Sequence, residues 1–188
     1  MTNKAETRRA LRRARTEFTA RADVVDRLLV LTLMAAEHAA PVLAGARTAA
    51  FYVSNGVEVD PLPLLFRAID AGIDTVLPRI AEDGGALTFH LWVPGDDLVP
   101  GPMGLVQPRR DAPRAEPDLI FAPLVGFDRA LNRIGQGGGH YDRTFAALPA
   151  ARRIGLAWSV QEMAAIEPDL WDVPLHGIAT EREWIGAA

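Results

Sequence analysis

Arg133, Asp142 and Arg143 stand around a run of glycines, Arg133-Ile134-Gly135-Gln136-Gly137-Gly138-Gly139-His140-Tyr141-Asp142-Arg143. Glycine has no Cβ and tolerates positive φ, so backbone N–H groups in such a run can close on an anion. Tyr141, Phe145 and Leu148 follow at helical spacing. The loop therefore opens a helix whose first N–H groups face the same anion. Asp142 adds a hard oxygen able to hold Mg²⁺ directly or through water. The chemistry this suits is nucleotide-phosphate binding. A flexible turn after a buried strand is the plainer alternative, and the flanking charges weigh against it. No Gly-Lys-Ser/Thr follows, so this is not a Walker loop. His140 stands where the third glycine of a dinucleotide fingerprint would fall.

A second cationic feature lies at the start of the chain. Residues 1–21 carry a net charge of +5 and the remainder −9, within an overall −4. Lys4, Arg8, Arg12 and Arg15 fall on one helical stripe, with Leu11, Ala14 and Phe18 on another. Cations near a helix N-terminus oppose the macrodipole, a small cost that makes sense if the stripe faces an anion. A solvated basic face is the alternative. Glu58, in Val57-Glu58-Val59-Asp60 after the turn Ser54-Asn55-Gly56, alternates away from the two valines. The usual fate of such a glutamate is solvent.

The rest of the composition sets bounds. With 188 residues and a hydrophobic share of 49%, the chain suits one domain, residues 1–188, with a substantial core. Net acidity disfavours bulk attraction to nucleic acid. The absence of cysteine excludes disulfide and thiol chemistry, and the presence of only four histidines disfavours a His-rich metal site. The apolar stretch from Leu28 to Ala36 is too short to span a bilayer. No secretory signal is read, so a cytoplasmic protein without a membrane partner is expected, with a monomer as the default.

Elements that must position these groups can be read along the chain. Helices are expected over 23–39, with Leu28, Leu31, Ala35 and Ala39 on one face, and from residue 60 or 61 to 71, stopped by Gly72. A short helix is expected over 160–166. Strands are expected over 48–53, 75–77, 87–93, 119–122 and 152–158, the fourth as a central parallel strand. Residues 94–117 read as a long irregular excursion rich in proline. Strands alternating with helical crossovers imply an α/β domain with a mostly parallel sheet, with ligands beyond the carboxyl ends of its strands.

Phe127-Asp128, Arg133-Ile134-Gly135 and Gly137-Gly138-Gly139-His140-Tyr141-Asp142-Arg143 together resemble the signature of the 5-formyltetrahydrofolate cyclo-ligase (5,10-methenyltetrahydrofolate synthetase) family. The resemblance extends from Arg8 to Glu181 and includes Tyr52-Val53-Ser54-Asn55-Gly56-Val57-Glu58-Val59-Asp60, Pro78-Arg79 and Gly177-Ile178-Ala179-Thr180-Glu181 as a closing strand. It implies a single three-layer α/β/α domain of the ribose-isomerase and CoA-transferase type. It implies ATP- and Mg²⁺-dependent ring closure of 5-formyltetrahydrofolate.

By resemblance ATP meets Lys4, Arg8, Arg133, Gly135, Gln136, Gly137, Gly138, Gly139, His140, Tyr141 and Asp142. The folate meets Val53, Glu58, Gln136, Gly137, Gly138, Gly139 and His140. Tyr141 and Arg143 take catalytic roles, and Asp142 or Asp172 holds the metal. An alternative register, Arg8-Arg9-Ala10-Leu11-Arg12, competes with Lys4-Ala5-Glu6-Thr7-Arg8 for the family's Lys-x-x-Leu-Arg helix, and the latter is preferred. An aromatic near Phe89 and Trp92 lines the folate pocket in the family, although core is the default for both. Asp128 has two open roles, capping its loop or holding Arg133. Departures at Thr7, Gln107, Leu131 and Trp171 leave open a folate- or nucleotide-binding relative without ligase turnover.

Overall fold

A computed structural model describes residues 4–81 and 84–186. Its strands, in chain order, are β1 (Thr48–Ala50), β2 (Asp74–Arg79), β3 (Thr88–Leu91), β4 (Leu98–Pro100), β5 (Val106–Pro108), β6 (Leu119–Pro123), β7 (Gly126–Phe127), β8 (Arg133–Ile134), β9 (Arg152–Leu156), β10 (Gly177–Ala179) and β11 (Trp184–Gly186). Its α-helices are α1 (Lys4–Ala20), α2 (Ala22–Val25), α3 (Leu28–Ala39), α4 (Leu62–Asp70) and α5 (His140–Ala147). Seven strands form one sheet in the order β11-β10-β9-β6-β1-β2-β3. The inner pairings are parallel, and β3 and β11 close the edges antiparallel.

Period-two alternation sorts the central strands onto two cores. Leu119 and Phe121 of β6, with Ile154 and Leu156 of β9, face a core closed by α3 and α4 through Ala35, Ala39, Leu64, Leu65 and Ala68. Ile120 and Ala122 face the opposite core, closed by Phe145 of α5. Both faces of the sheet are covered, the arrangement parallel sheets require. The chain steps from β1 outward to β2, then from β6 in the other direction to β9 and β10. Connections leaving β1 and β6 therefore diverge, and the crevice beyond their carboxyl ends is the place such folds offer a ligand.

Several expectations are corrected. The helix expected over 23–39 is two helices, broken at Arg27 (φ −117°, ψ 3°). The break lets Val24 bury separately from the α3 face. Residues 94–117 are not irregular throughout, because β4 and β5 pair as an antiparallel hairpin. Instead of a helix, 160–166 contains only one 3₁₀ turn, Ser159–Gln161. The backbone N–H groups there are taken elsewhere, Met163 N by Phe127 O and Ile166 N by Asp128. Buried Gln161 donates to the carbonyls of Leu124 and Val125, fixing the exit from β6. Residues 177–181 do not close the sheet, since β11 adds an edge strand beyond β10.

Close approach of α1 to the β7–β8 ribbon depends on Gly126. A Cβ built there would stand 2.5 Å from Leu11 Cδ1, so this α1 side chain lies directly on the backbone of β7. Gly126→Val is expected to lower the unfolding free energy by about 1–3 kcal/mol, an overpacking cost read from urea titration. An unchanged midpoint would mean that α1 rides on the ribbon without being seated there.

His90 is 1% exposed. Its Nδ1 donates to Ala112 O at 2.7 Å. Burial, chiefly, holds it below the ordinary histidine value, with Arg114 and Arg79 adding repulsion. The unfolded chain therefore takes up this proton first as pH falls. The stabilisation is complete above the ordinary value of 6.5 and is lost as pH drops toward and through the depressed folded value. Urea midpoints are expected to fall between about pH 8 and about pH 5, and His90→Gln to flatten the decline. An equally steep decline in that variant would assign the effect to other groups.

Candidate active site

The Glu58 segment is gripped from three sides. Val57 O accepts from Trp158 Nε1 at 3.0 Å, Glu58 O from Ser54 Oγ at 3.2 Å, and Val59 O from Tyr52 Oη at 2.5 Å. Three successive carbonyls, each held by a side chain, fix the backbone that aims the carboxylate. The Glu58 side chain is only 8% exposed and pairs with Arg15 Nη1 at 3.3 Å. Gln136 Nε2 donates to the same oxygen at 3.3 Å, and Asn55 N to the other at 3.4 Å. Glu58 is thus turned inward, not to solvent. Tyr52 is pushed well above the ordinary tyrosine value by burial first and Glu58 second, so it stays a neutral donor.

The glycine loop is closed at its base by the β7–β8 ribbon. Asp128 caps the turn, accepting from Asn132 N at 2.9 Å and Asn132 Nδ2 at 3.0 Å, and this resolves its two open roles. Leu131 takes φ +67°, a left-handed turn position held by a side chain that disfavours it. Gly137 (φ +108°) and Gly139 (φ +67°) supply the left-handed positions, and Gly139 caps α5. Arg133, expected at the loop, is 9% exposed, pairs with Asp142 at 2.5 Å, and lies 5.0 Å from the Phe145 ring centroid. Burial drives Tyr141 far above the ordinary value, with Glu58 adding to it, so its hydroxyl too stays protonated.

The basic stripe of α1 faces inward along its whole length. Lys4 Nζ bridges Asp169 at 2.5 Å and Asp172 at 3.0 Å. Burial works against its charge, yet these bonds carry Lys4 above the ordinary lysine value. Arg8 Nε donates to Gly135 O at 3.0 Å, and Arg12 grips Gln136. Lys4, Arg8 and Arg12 all line the cavity, so both registers of the first helix bring their basic residues to it.

One cavity of about 470 Å³ opens at the crevice between β1 and β6. It is lined by every expected site residue except Arg143. Arg143, exposed in the first turn of α5, folds back over the loop, donating to Gly138 O at 2.7 Å beside His140 Nδ1 at 3.2 Å. Arg12 and Asp169 line the cavity and were not singled out for it, and Arg15 acts just behind its wall. The helical stripe was the signal for both arginines, whereas nothing in the sequence distinguished Asp169. Phe89 and Trp92 do not line it; Phe89 sits in the core and Trp92 donates to Asp96 O. Pro78, Ile80, Leu87, Met103 and Leu105 form its apolar walls, the last two carried by the hairpin connection. Gln107 is buried against Gly101, accepts from Ile80 N at 3.2 Å, and holds that hairpin to the sheet.

No group of three or more metal-ligating side chains converges among the described residues. The carboxylates that line the cavity are Glu58, Asp142, Asp169 and Asp172, each already facing a cation. That set fits a hard ion bound by one or two carboxylates and completed by phosphate oxygens, the usual habit of Mg²⁺, and not a self-contained protein cage. Among the described residues no helix is long and apolar enough to cross a membrane.

A mostly parallel sheet, helices on both faces, and a crevice that joins a cationic glycine loop to a carboxylate pocket define an α/β domain built around one cleft. Residues 1–181 match the 5-formyltetrahydrofolate cyclo-ligase family, and the chain belongs to it. The 5-formyltetrahydrofolate cyclo-ligase of Escherichia coli K12 is 31% identical over 154 residues, 77% of this chain and 85% of that protein. The NMR structure of Aquifex aeolicus 5,10-methenyltetrahydrofolate synthetase has a TM-score of 0.77 at 24% identity, covering 96% of this chain and 91% of that one. A 5,10-methenyltetrahydrofolate synthetase from Mycoplasma pneumoniae gives 0.74 at 21% identity, over 96% and 99%. At those identities the two structures speak to the fold alone.

Proposed function

We propose that this chain closes 5-formyltetrahydrofolate to 5,10-methenyltetrahydrofolate, with ATP converted to ADP and phosphate. The observation that carries this reading is the single crevice in which the cationic loop and the Glu58 pocket meet. The formyl oxygen of the substrate is a poor leaving group. Its attack on the γ-phosphorus releases ADP and leaves an iminium phosphate. N10 then attacks the formyl carbon and gives up its proton to the departing phosphate, which leaves with the former formyl oxygen. Phosphoryl transfer asks mainly for positioning and charge neutralisation.

In this reading Arg8, Arg133, Lys4 and the N–H groups of Gly137 to Gly139 receive the phosphates. Glu58 accepts from N–H groups of the reduced pterin, and neutral Tyr141 donates beside it. The apolar walls exclude water from the phosphorylated carbon. Asp142, or the Asp169–Asp172 pair, would hold Mg²⁺, which when bound neutralises phosphate charge. Every group in this scheme comes from one chain, so a monomer suffices.

Absorbance at the methenyl-folate band, with 5-formyltetrahydrofolate, Mg²⁺ and ATP against an ATP-free control, tests the reading. An ATP-dependent rise is expected. Binding of both ligands without a rise would replace the ligase with a non-turning-over relative.

A further inference from the structure

We infer that Gln136 is a positioning residue that couples the two halves of the crevice, so that nucleotide at the glycine loop tightens folate binding through Glu58. The inference rests on the functional reading above. Arg12 donates twice to Gln136 Oε1, from Nε at 3.0 Å and Nη2 at 2.6 Å, and once to Gln136 O at 3.1 Å. With Oε1 held by the guanidinium, the amide orientation is set and Nε2 is the side chain's remaining donor. It reaches Glu58 Oε1 at 3.3 Å. Arg15, one turn further along α1, donates to that same oxygen at 3.3 Å. The circuit therefore closes on itself: α1, the loop, the Glu58 segment, and α1 again.

Two properties make this circuit a coupling device and not a brace alone. Gln136 is exposed at the cavity rim and is followed by Gly137 at φ +108°, a left-handed position that lets the loop turn directly after it. The contacts converging on Glu58 measure 3.3 to 3.4 Å, at the long end for hydrogen bonds, and have room to shorten. Phosphate that orders the loop also orders Gln136, and with it the donor that orients Glu58. The ordering cost is then met by the first ligand and spared for the second. Linkage makes the effect reciprocal, so folate must tighten nucleotide by the same factor.

The test is calorimetry of 5-formyltetrahydrofolate, alone and with a saturating non-hydrolysable ATP analogue and Mg²⁺. It is run on the unmodified protein, Gln136→Leu and Gln136→Glu. In the unmodified protein the analogue is expected to tighten folate by about fivefold or more, the lower end of ordinary site-to-site coupling. Gln136→Leu keeps the side-chain bulk and removes all three side-chain hydrogen bonds, and its coupling factor is expected to fall to about one. Gln136→Glu keeps an acceptor for Arg12 but sets a second carboxylate against Glu58, and should lose the coupling as well. A merely structural role would weaken both ligands and leave their ratio intact. Coupling that persists in Gln136→Leu, or is absent from the unmodified protein, overturns the inference. Failure of the unmodified protein to bind folate at all would overturn the functional reading, and the inference with it.

Discussion

Replacing Glu58 by glutamine is expected to lower kcat/KM for the folate by about 10–100-fold and to leave nucleotide affinity within about twofold, the loss of one charge-assisted hydrogen bond. The two side chains have the same shape, and a glutamine oxygen can still accept from Arg15 and Gln136. Backbone carbonyls 57 to 59 keep their donors from Trp158, Ser54 and Tyr52, so the segment should hold its course. What is lost is the negative charge that, in the proposed function, faces the reduced pterin. Alanine would be a poorer probe. It strips Arg15, itself 3% exposed, of its carboxylate and leaves Leu124 O as its acceptor. Breaking a buried pair in this way costs about 3–5 kcal/mol. Activity loss in Glu58→Ala would therefore mix unfolding with chemistry. Methenyl-folate absorbance gives kcat/KM, and analogue calorimetry gives the nucleotide affinity. Equal losses in both would show that the crevice behaves as one pocket, not two.

The loop and the basic stripe were legible because their chemistry is local. A glycine run flanked by arginines advertises an anion, and spacing alone put Lys4, Arg8, Arg12 and Arg15 on one face. The direction of that face was not legible, since a solvated stripe has the same period. Only packing of Leu11 on Gly126 and Phe18 on Trp158 turns it inward. Glu58 was harder for the same reason: its burial depends on Arg15, forty-three residues away in sequence. The central strands were read correctly because continuous apolar runs mark strands covered on both faces. The helix expected over 160–166 failed because Gln161, an ordinary helix former, is used as a buried crosslink to the β6 exit. The strand β11 went unread since no alternating run precedes it. Arg143, given a catalytic role by resemblance, donates to Gly138 O and lies beside His140, two residues of the cavity lining, without lining the cavity itself.

Arg133→Met is expected to weaken nucleotide binding by more than about tenfold, through loss of a charge-assisted contact, and to lower the unfolding free energy by about 3 kcal/mol, the low end for breaking a buried ion pair. The lower figure applies because Asp142 keeps 18% of its side-chain surface, against 5% for Arg133. Burial pulls the Arg133 guanidinium below the ordinary arginine value while Asp142 and Asp172 act against the shift. The Phe145 face supports the cation, and Nε has no hydrogen-bond partner among the described residues. A charge held at that cost, at the base of an anion loop, invites the question of whether it serves the fold or the ligand. The double variant Arg133→Met with Asp142→Asn separates the two. Removing both charges of a buried pair is often close to neutral, so urea titration should show most of the lost stability restored. Nucleotide affinity should stay low, since nothing restores the cation beneath the phosphates. Recovery of both stability and affinity would make the pair a purely structural element and move phosphate recognition onto Lys4, Arg8 and the loop backbone.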